Sequence, residues 1–186
     1  MVLPIYVYGH PVLRKVAEDI PVDYPNLQQL IADMWDTLAE SEGIGLAAPQ
    51  IAKSIRVVVI DLDVISNEMP KYKDYRRVFI NPHIIETSLE TTLMEEGCLS
   101  LPAIHEKVSR HAHIRIQYID EELNSHDEWV KDDYLARVMQ HEFDHLEGKV
   151  FVDRISSLRK QLIKSKLRAL AQGRYRCGYK TKGFVK

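Results

Sequence analysis

Apolar residues recur along residues 26–42 at the spacing of one helical face. They fall at intervals of three and four and are Leu27, Leu30, Ile31, Met34, Trp35, Leu38 and Ala39. Such a stripe predicts an amphipathic helix that packs against a core. Asn26 suits the N-cap of this helix, and Gly43 suits the left-handed residue just after its end.

Several later stretches have the apolar runs or the period-two alternation of strands. They are residues 55–62, 76–82, 84–94 and 113–119, and Pro82 is expected to end the second. The polar stretch DVISNEMPKYKDY after the first strand is predicted to be a loop. The stretch DEELNSHDE after the last strand is predicted to be a turn region. The role of the loop at residues 61–77 is left open by its sequence.

Helical periodicity returns at residues 132–147, after Asp132 and Asp133 as N-cap residues, and again at about 155–172. The order of helix, several strands, helix and helix predicts an α+β fold. We expect antiparallel strands packed around a central helix. The chain has 186 residues, which suits one domain with a substantial core, so residues 1–186 are predicted to form a single domain.

The overall composition is that of an ordinary globular protein, with 45% hydrophobic and 28% charged residues. The sequence has no run of 18 apolar residues, so no membrane span is expected. The stretch MVLPIYVYGHPVLRK lacks the basic start and long apolar block of a secretory signal. Two cysteines, Cys98 and Cys177, form no disulfide framework, and these features together favour a cytoplasmic location.

Charge is distributed unevenly, although the formal net charge is only −2. Ten of the 25 Lys and Arg residues, and no Asp or Glu, lie between residues 159 and 186. This basic C-terminal helix and tail, from about residue 159, predicts an anionic partner. The alternative is a solvated helix face followed by a frayed terminus.

The stretch QHEFDHLEGKVF contains His-Glu-x-x-His at residues 141–145. On a helix, His141 and His145 lie on one face, one turn apart, where two imidazoles can bind one metal ion. Glu142 lies beside them as a candidate proton carrier. Tyr134 and Val138 share this helical face, and they either line an apolar pocket beside the metal or belong to an ordinary core.

Catalytic metal centres of this kind usually have three protein ligands and one open position. Cys98, in the stretch EEGCLSLP, is a candidate for the third ligand, and Gly97 beside it permits a close approach of the backbone. A lone cysteine is otherwise most often a small buried hydrophobic residue. His111 and His113 share one face of a strand and could also bind metal, although exposed strand positions explain them better.

Residues 43–50, GIGLAAPQ, are almost free of bulky side chains. Such a stretch suits backbone that lies close to a ligand or to another strand. It contains neither of the glycine-rich patterns that bind nucleotide phosphates. A helix cap followed by a tight turn would explain the same residues.

Taken together, GIGLAAPQ (43–50), EGCLS (96–100) and HEFDHL (141–146) closely resemble the three signature motifs of peptide deformylases, in the same order. The resemblance extends from the first helix to about Arg154. It implies an α+β fold and a mononuclear metal hydrolase that releases formate from the N-terminal methionine of newly made polypeptides. N-formyl-methionyl peptides and nascent chains would be its substrates.

The resemblance also assigns roles by motif position. The metal ligands that it implies are Cys98, His141 and His145. Glu142 would be the general acid and base, while Gln50 and the backbone N–H of Leu99 would contact the reacting carbonyl oxygen. The metal would be one divalent ion, Fe(II) in cells, and a thiolate with two imidazoles also accommodates zinc, nickel or cobalt.

Further residues are expected to contact the substrate. Those expected at its binding site are Gly43, Ile44, Gly45, Gly97, Tyr134 and Val138. An unbranched apolar first residue such as methionine would suit such a pocket. A residue that anchors the peptide backbone is expected soon after EGCLS, and both His105 and Arg110 are candidates.

The basic tail suggests a further partner if the chain acts on nascent polypeptides. Basic residues interleaved with Tyr175 and Tyr179 suit contacts to RNA, so we expect weak, salt-sensitive ribosome binding by residues 159–186 and no membrane partner. Such a tail would be dispensable for chemistry on short peptides. Two rival functions are a zinc peptidase and a non-catalytic, metal-stabilised binding module. Glu142 argues against the second rival, because a structural metal site needs no proton carrier.

Overall fold

The computed structural model describes residues 1–184, so Lys186 of the predicted basic tail lies outside the described residues. Its α-helices are α1 (Leu27–Glu40), α2 (Asp133–Leu146), α3 (Ser157–Leu162) and α4 (Lys164–Ala171). Both helices predicted before residue 150 are present. The helix predicted at about 155–172 is two helices, because the chain bends at Ile163, which ends α3 and begins α4. No helix in the described part of the chain is long and apolar enough to cross a membrane.

The strands form a five-stranded antiparallel sheet and two smaller pairs. They are β1 (Ile5–Tyr6), β2 (Gly45–Ala47), β3 (Val57–Asp61), β4 (Arg76–Thr87), β5 (Thr91–Cys98), β6 (Leu101–His111), β7 (Ile114–Ile119), β8 (Ser125–Val130) and β9 (Thr181–Lys182). The larger sheet has the order β2-β3-β4-β7-β8. Strands β5 and β6 form an antiparallel hairpin, and β1 pairs with β9 in parallel.

Both faces of the large sheet are covered by a helix. Val58 and Ile60 of β3 pack in the same core as α2, whereas Val57 and Val59 pack in the same core as α1. This explains why β3 is a continuous apolar run without alternation. Helix α2 also bonds to the β5–β6 hairpin, since Arg137 donates to the Val108 carbonyl at 2.8 Å. The predicted α+β fold, with antiparallel strands around a central helix, is confirmed.

The strand bounds differ from the prediction in three places, although residues 84–94 are largely in strands as expected. Strand β4 does not end at Pro82. Its register with β7 shifts between Ile80 and His83, so Pro82 lies at an irregularity where no N–H is needed for a hydrogen bond to β7. Residues 84–94 belong to two strands, joined by a turn between β4 and β5. The turn region predicted at 120–128 includes the first four residues of β8, an edge strand whose side chains are mostly polar and exposed.

The ends of α1 also differ from the prediction. Asn26 precedes the helix in a left-handed conformation (φ 58°), and its side chain makes no capping hydrogen bond. The left-handed residue after the helix is Glu42 (φ 53°) rather than Gly43. A Cβ at Gly43 would lie 2.8 Å from the Leu99 side chain, so close packing explains this glycine.

The predicted loop between β3 and β4 has a structural role. It contains two short 3-10 helices, Asp63–Ile65 and Pro70–Tyr72. The Tyr72 hydroxyl donates to Asp132 at 2.7 Å, and Lys71 pairs with the same carboxylate at 2.7 Å. The loop therefore holds Asp132, the residue that caps the N-terminus of α2.

A candidate metal centre and substrate pocket

Helix α2 begins at a strong cap and carries the His-Glu-x-x-His motif. The Asp132 carboxylate accepts hydrogen bonds from the N–H groups of Tyr134 and Leu135, both at 3.1 Å, as predicted for an N-cap. His141 and His145 lie one turn apart, with ring centroids separated by 5.3 Å. Because α2 is enclosed by the sheet and the hairpin, these side chains project into a largely buried site.

Cys98, at the end of β5, completes a cluster with the two histidines. Its sulfur lies 3.3 Å from Nε2 of His145. The metal-binding atoms of Cys98, His141 and His145 all lie within 4.8 Å of one another. His111 is not part of this cluster, since its Nδ1 bonds to the Ser88 carbonyl at 2.7 Å.

The chemistry of this cluster fits one divalent metal ion. Burial works to raise the pKa of the Cys98 thiol, but the neighbouring His145 and His141 lower it to about 5, so the thiolate required for metal binding is favoured at neutral pH. His145 Nδ1 is buried without a hydrogen-bond partner. Two imidazoles and one thiolate are three protein ligands, which leaves an open position for a reactant.

Glu96 supports the centre from behind, and sequence reasoning missed it. Its buried carboxylate accepts hydrogen bonds from Nδ1 of His141 at 2.9 Å, Nη1 of Arg137 at 2.7 Å and two nitrogens of Arg110, each at 2.9 Å. Burial opposes ionisation, yet His141 and Arg110 hold the pKa of Glu96 well below its usual range. Arg110 also pairs with Asp144 and is buried, so its guanidinium is occupied away from the pocket.

Glu142 faces the pocket rather than the core network. Its Oε2 is buried without a hydrogen-bond partner, and burial raises the pKa of its carboxyl group. The carboxylate lies directly over Gly45 of β2, where an added Cβ would be 2.5 Å from Oε1. A carboxyl group in this environment is suited to carry a proton between reacting atoms.

Gln50 and Leu99 lie beside Cys98. The Gln50 Oε1 accepts the Ala47 N–H at 2.8 Å, which directs its amide nitrogen toward Ser100 Oγ at 3.1 Å and the Cys98 sulfur at 3.7 Å. Among the described residues, no protein group accepts the Leu99 N–H. Two donors are therefore near the cysteine: the Leu99 N–H, which is free, and the Gln50 amide, which bonds to Ser100 and contacts the sulfur only weakly.

A cleft of about 390 Å³ opens in front of this centre. The residues expected from the sequence to bind the substrate all line it: Gly43, Ile44, Gly45, Gly97, Tyr134 and Val138. Of the two candidates for a peptide anchor, His105 lines the cleft and its ring covers Gly97, where a Cβ would lie 2.8 Å away. Tyr179, which sequence reasoning assigned to a free tail, also lines the cleft.

The chain is similar in sequence to a known family over most of its length. The family described as polypeptide deformylase matches residues 2–161. A peptide deformylase of Christiangramia forsetii is 46% identical over 97% of this chain and 95% of its own length. One of Cytophaga hutchinsonii is 43% identical over the whole of both chains.

Solved structures show the same likeness in three dimensions. A Plasmodium falciparum peptide deformylase superposes with a TM-score of 0.81 at 36% identity, covering 91% of this chain and 95% of the other. A peptide deformylase from Legionella pneumophila gives a TM-score of 0.80 at 33% identity, covering 95% of this chain and all of the other.

Proposed function

The chain belongs to the polypeptide deformylase family, whose members remove the N-formyl group from nascent peptides, and we propose that it performs this hydrolysis with Glu142 as the proton carrier. The observation that carries the proposal is the buried, unpartnered carboxylate of Glu142 beside a Cys-His-His cluster at the base of a cleft.

Cys98, His141 and His145 would hold the metal ion. When bound, a divalent ion supplies the Lewis acidity that makes water an effective nucleophile at neutral pH. One thiolate and two imidazoles suit Fe(II), which we propose as the ion in cells, and they also accommodate zinc, nickel or cobalt.

Glu142 would take a proton from the attacking water and return it to the departing amine. The products are formate and a peptide with a free N-terminal amine. Its raised pKa supports this double role, because a carboxyl group poised nearer to neutrality can both accept and donate a proton.

Gln50 and Leu99 would stabilise the negative charge that grows on the formyl oxygen. The Gln50 amide can exchange its weak contact with the Cys98 sulfur for a bond to this oxygen, and the Leu99 N–H is already free. One such donor typically contributes roughly 3–4 kcal/mol to the stability of the transition state.

The cleft suits an N-terminal methionine followed by an extended peptide. Ile44, Tyr134 and Val138 offer apolar surface for an unbranched side chain, whose burial contributes roughly 1.5–3 kcal/mol. His105 is the proposed anchor of the peptide backbone, because Arg110 is committed to Glu96 and Asp144. A peptide that begins with formyl-Asp should therefore be a much poorer substrate than one that begins with formyl-Met.

Replacing Glu142 with Gln tests the mechanism. The amide is nearly isosteric and cannot exchange the proton, so formate release should fall by a factor of roughly 100 or more while metal content and the thermal midpoint stay unchanged. Glu122→Gln, at an exposed turn, is the control. Near-normal formate release by Glu142→Gln would refute the role, and cleavage of internal peptide bonds by the unaltered chain would favour a peptidase instead.

We also propose that the basic surface of α4 contacts ribosomal RNA in the cytoplasm. Lys164, Lys166 and Arg168 are exposed on this helix, whereas Arg159 pairs with Glu106 and is less available. The two tail tyrosines do not support the expected base stacking. Each is half-buried, and their hydroxyls bond to Thr181 and Leu99 of the protein itself.

Co-sedimentation with ribosomes at about 50 and 200 mM salt tests this contact. Changing Lys164, Lys166 and Arg168 to Gln should weaken binding and reduce its dependence on salt. A variant with the same charge change at exposed positions elsewhere, Lys15, Lys73 and Lys131, is the control. Equal binding by the two variants would refute a contact through α4.

A further inference from the structure

The C-terminal segment folds back onto the body instead of extending into solvent. Strand β9 pairs with β1, and the Lys180 and Lys182 carbonyls accept the N–H groups of Ile5 and Val7 at 2.9 and 3.1 Å. This segment lies beyond residues 2–161, which the family pattern matches, so none of the three signature motifs predicts it.

The feature that it holds is the turn between β5 and β6. Leu99 and Ser100 lie between the two strands, so their carbonyls have no partner in the ladder. The Leu99 carbonyl accepts the Tyr179 hydroxyl at 2.7 Å, and the Ser100 carbonyl accepts the Tyr8 N–H at 2.8 Å. The two terminal segments, which pair with each other, therefore bind the turn that follows the metal-binding cysteine.

Leu99 is thus fixed from two directions. Its side chain packs against Gly43, where there is no room for a Cβ, and the Tyr179 bond restrains the peptide group that follows it. Burial raises the pKa of Tyr179, so its hydroxyl keeps the proton that it donates. A restrained Leu99 has a restrained N–H direction, and donor direction determines how well a developing charge is stabilised.

We infer that Tyr179 is a positioning residue for the reaction, because its hydroxyl holds Leu99 so that the Leu99 N–H points at the formyl oxygen. The inference rests on the function proposed above, in which Leu99 supplies this donor. The tail was expected from the sequence to be dispensable for chemistry on short peptides, whereas a positioning role for Tyr179 makes it contribute to that chemistry. The Tyr179 side chain also lines the cleft, where its ring can contact the substrate. Removing the hydroxyl alone therefore separates the effect of the bond to Leu99 from the effect of the ring.

The test compares Tyr179→Phe with Tyr175→Phe in the full chain loaded with metal. Both changes remove one hydroxyl from the same segment, but the Tyr175 hydroxyl bonds to Thr181 at 3.1 Å and does not touch the turn. Two measurements are made on each variant. One is amide hydrogen exchange of residues 98–104, and the other is the steady-state kinetics of formate release from a formyl-Met peptide, with metal content as a check.

We expect Tyr179→Phe to raise exchange in residues 98–104 and to lower kcat by roughly tenfold with little change in KM, because the ring remains but the donor is misdirected. Tyr175→Phe should change neither quantity. Unchanged exchange, or raised exchange with an unchanged kcat, would overturn the positioning role. Absence of formate release by the unaltered chain would overturn the proposed function, and the exchange comparison would still decide whether Tyr179 holds the turn.

Discussion

The carboxylate of Glu96 accepts a hydrogen bond from Nδ1 of His141 at 2.9 Å. This bond fixes the tautomer of the imidazole and leaves Nε2 for a metal ion. The same carboxylate forms ion pairs with Arg110 and Arg137, both of which are buried. Glu96 therefore both orients a metal ligand, His141, and pairs with two buried cations.

Glu96→Gln should therefore weaken metal binding roughly 10–100-fold, which is typical of losing the partner of a ligating histidine. Stability should also fall, because buried Arg137 loses its counter-charge and buried Arg110 keeps only that of Asp144. Competition with a chelator measures the affinity, and Glu95→Gln, at the exposed neighbouring position, is the control. Equal affinity in the two variants would contradict this role for Glu96.

Gly45→Ala should reduce kcat strongly without preventing metal binding. The new Cβ would lie 2.5 Å from Oε1 of Glu142, so the carboxylate must move, and a displacement of about 1 Å can cost roughly 100-fold in rate. Gly178→Ala is a matched control, because a Cβ there meets no atom within 4 Å. If kcat were the same in both variants, Glu142 would not need its observed position.

Cys98→Ser should lower both metal stoichiometry and formate release, since a serine hydroxyl keeps its proton at neutral pH and is a poor ligand for these metals. Cys177→Ser should preserve both quantities, because this cysteine is not part of the metal-binding cluster and a serine hydroxyl can replace the thiol as donor to the Tyr179 carbonyl. Elemental analysis of the purified variants measures the metal stoichiometry. Full metal occupancy in Cys98→Ser would remove this residue from the centre.

Asp132→Ala should lower the free energy of unfolding by about 0.5–2 kcal/mol at neutral pH, the usual cost of losing an N-cap. Partial burial opposes ionisation, but Lys71, Tyr72 and the Leu135 N–H together hold the pKa of Asp132 below its ordinary value of 3.8. Since the folded pKa is the lower one, the charged form stabilises the fold. This contribution is complete above about pH 4 and is lost as pH falls through the folded pKa.

Urea unfolding at several pH values measures this effect. Asp132→Asn keeps the capping oxygen and loses the charge, so its stability should lie between those of Asp132→Ala and the unaltered chain. The difference between Asp132→Ala and the unaltered chain should shrink in acid. A difference that stays constant from pH 7 to pH 3 would contradict an electrostatic contribution.

The sequence predicted correctly those features that depend on the periodicity or spacing of residues within a single helix. The apolar stripe of α1 and the His-Glu-x-x-His spacing of α2 each determine a face, so the helices and the pair of histidines were predictable. Cys98 could be proposed as the third ligand because the chain has few cysteines. The peptide anchor stayed open, since sequence order could not show that Arg110 is buried between Glu96 and Asp144.

Strand β6 was missed because its buried face carries charge. Its inward positions include Glu106 and Arg110 as well as Ile104 and Val108, so the alternation of apolar and polar residues is hidden. These charges are tolerated because Arg159 pairs with Glu106, while Glu96 and Asp144 pair with Arg110. Their partners come from distant segments, which no local pattern could reveal.

Tyr179 was assigned to a free tail for a similar reason. A run of basic residues with tyrosines resembles a solvated extension, and nothing in it indicates that β9 will pair with β1. The pairing depends on backbone groups, which every residue carries. The position of Tyr179 depends on the Leu99 carbonyl, which has no partner in the β5–β6 ladder. The structure alone brings these three segments together.

The register of Ile5 with Thr181 bears on the order in which the chain folds. The β5–β6 hairpin joins neighbouring residues, whereas the β1–β9 pair closes a loop that spans nearly all of the described chain. Contacts between residues far apart in sequence require the loss of loop-closure entropy first, and they therefore tend to form late. A refolding chain should thus acquire its apolar interior before Leu99 is fixed, and its activity should return last.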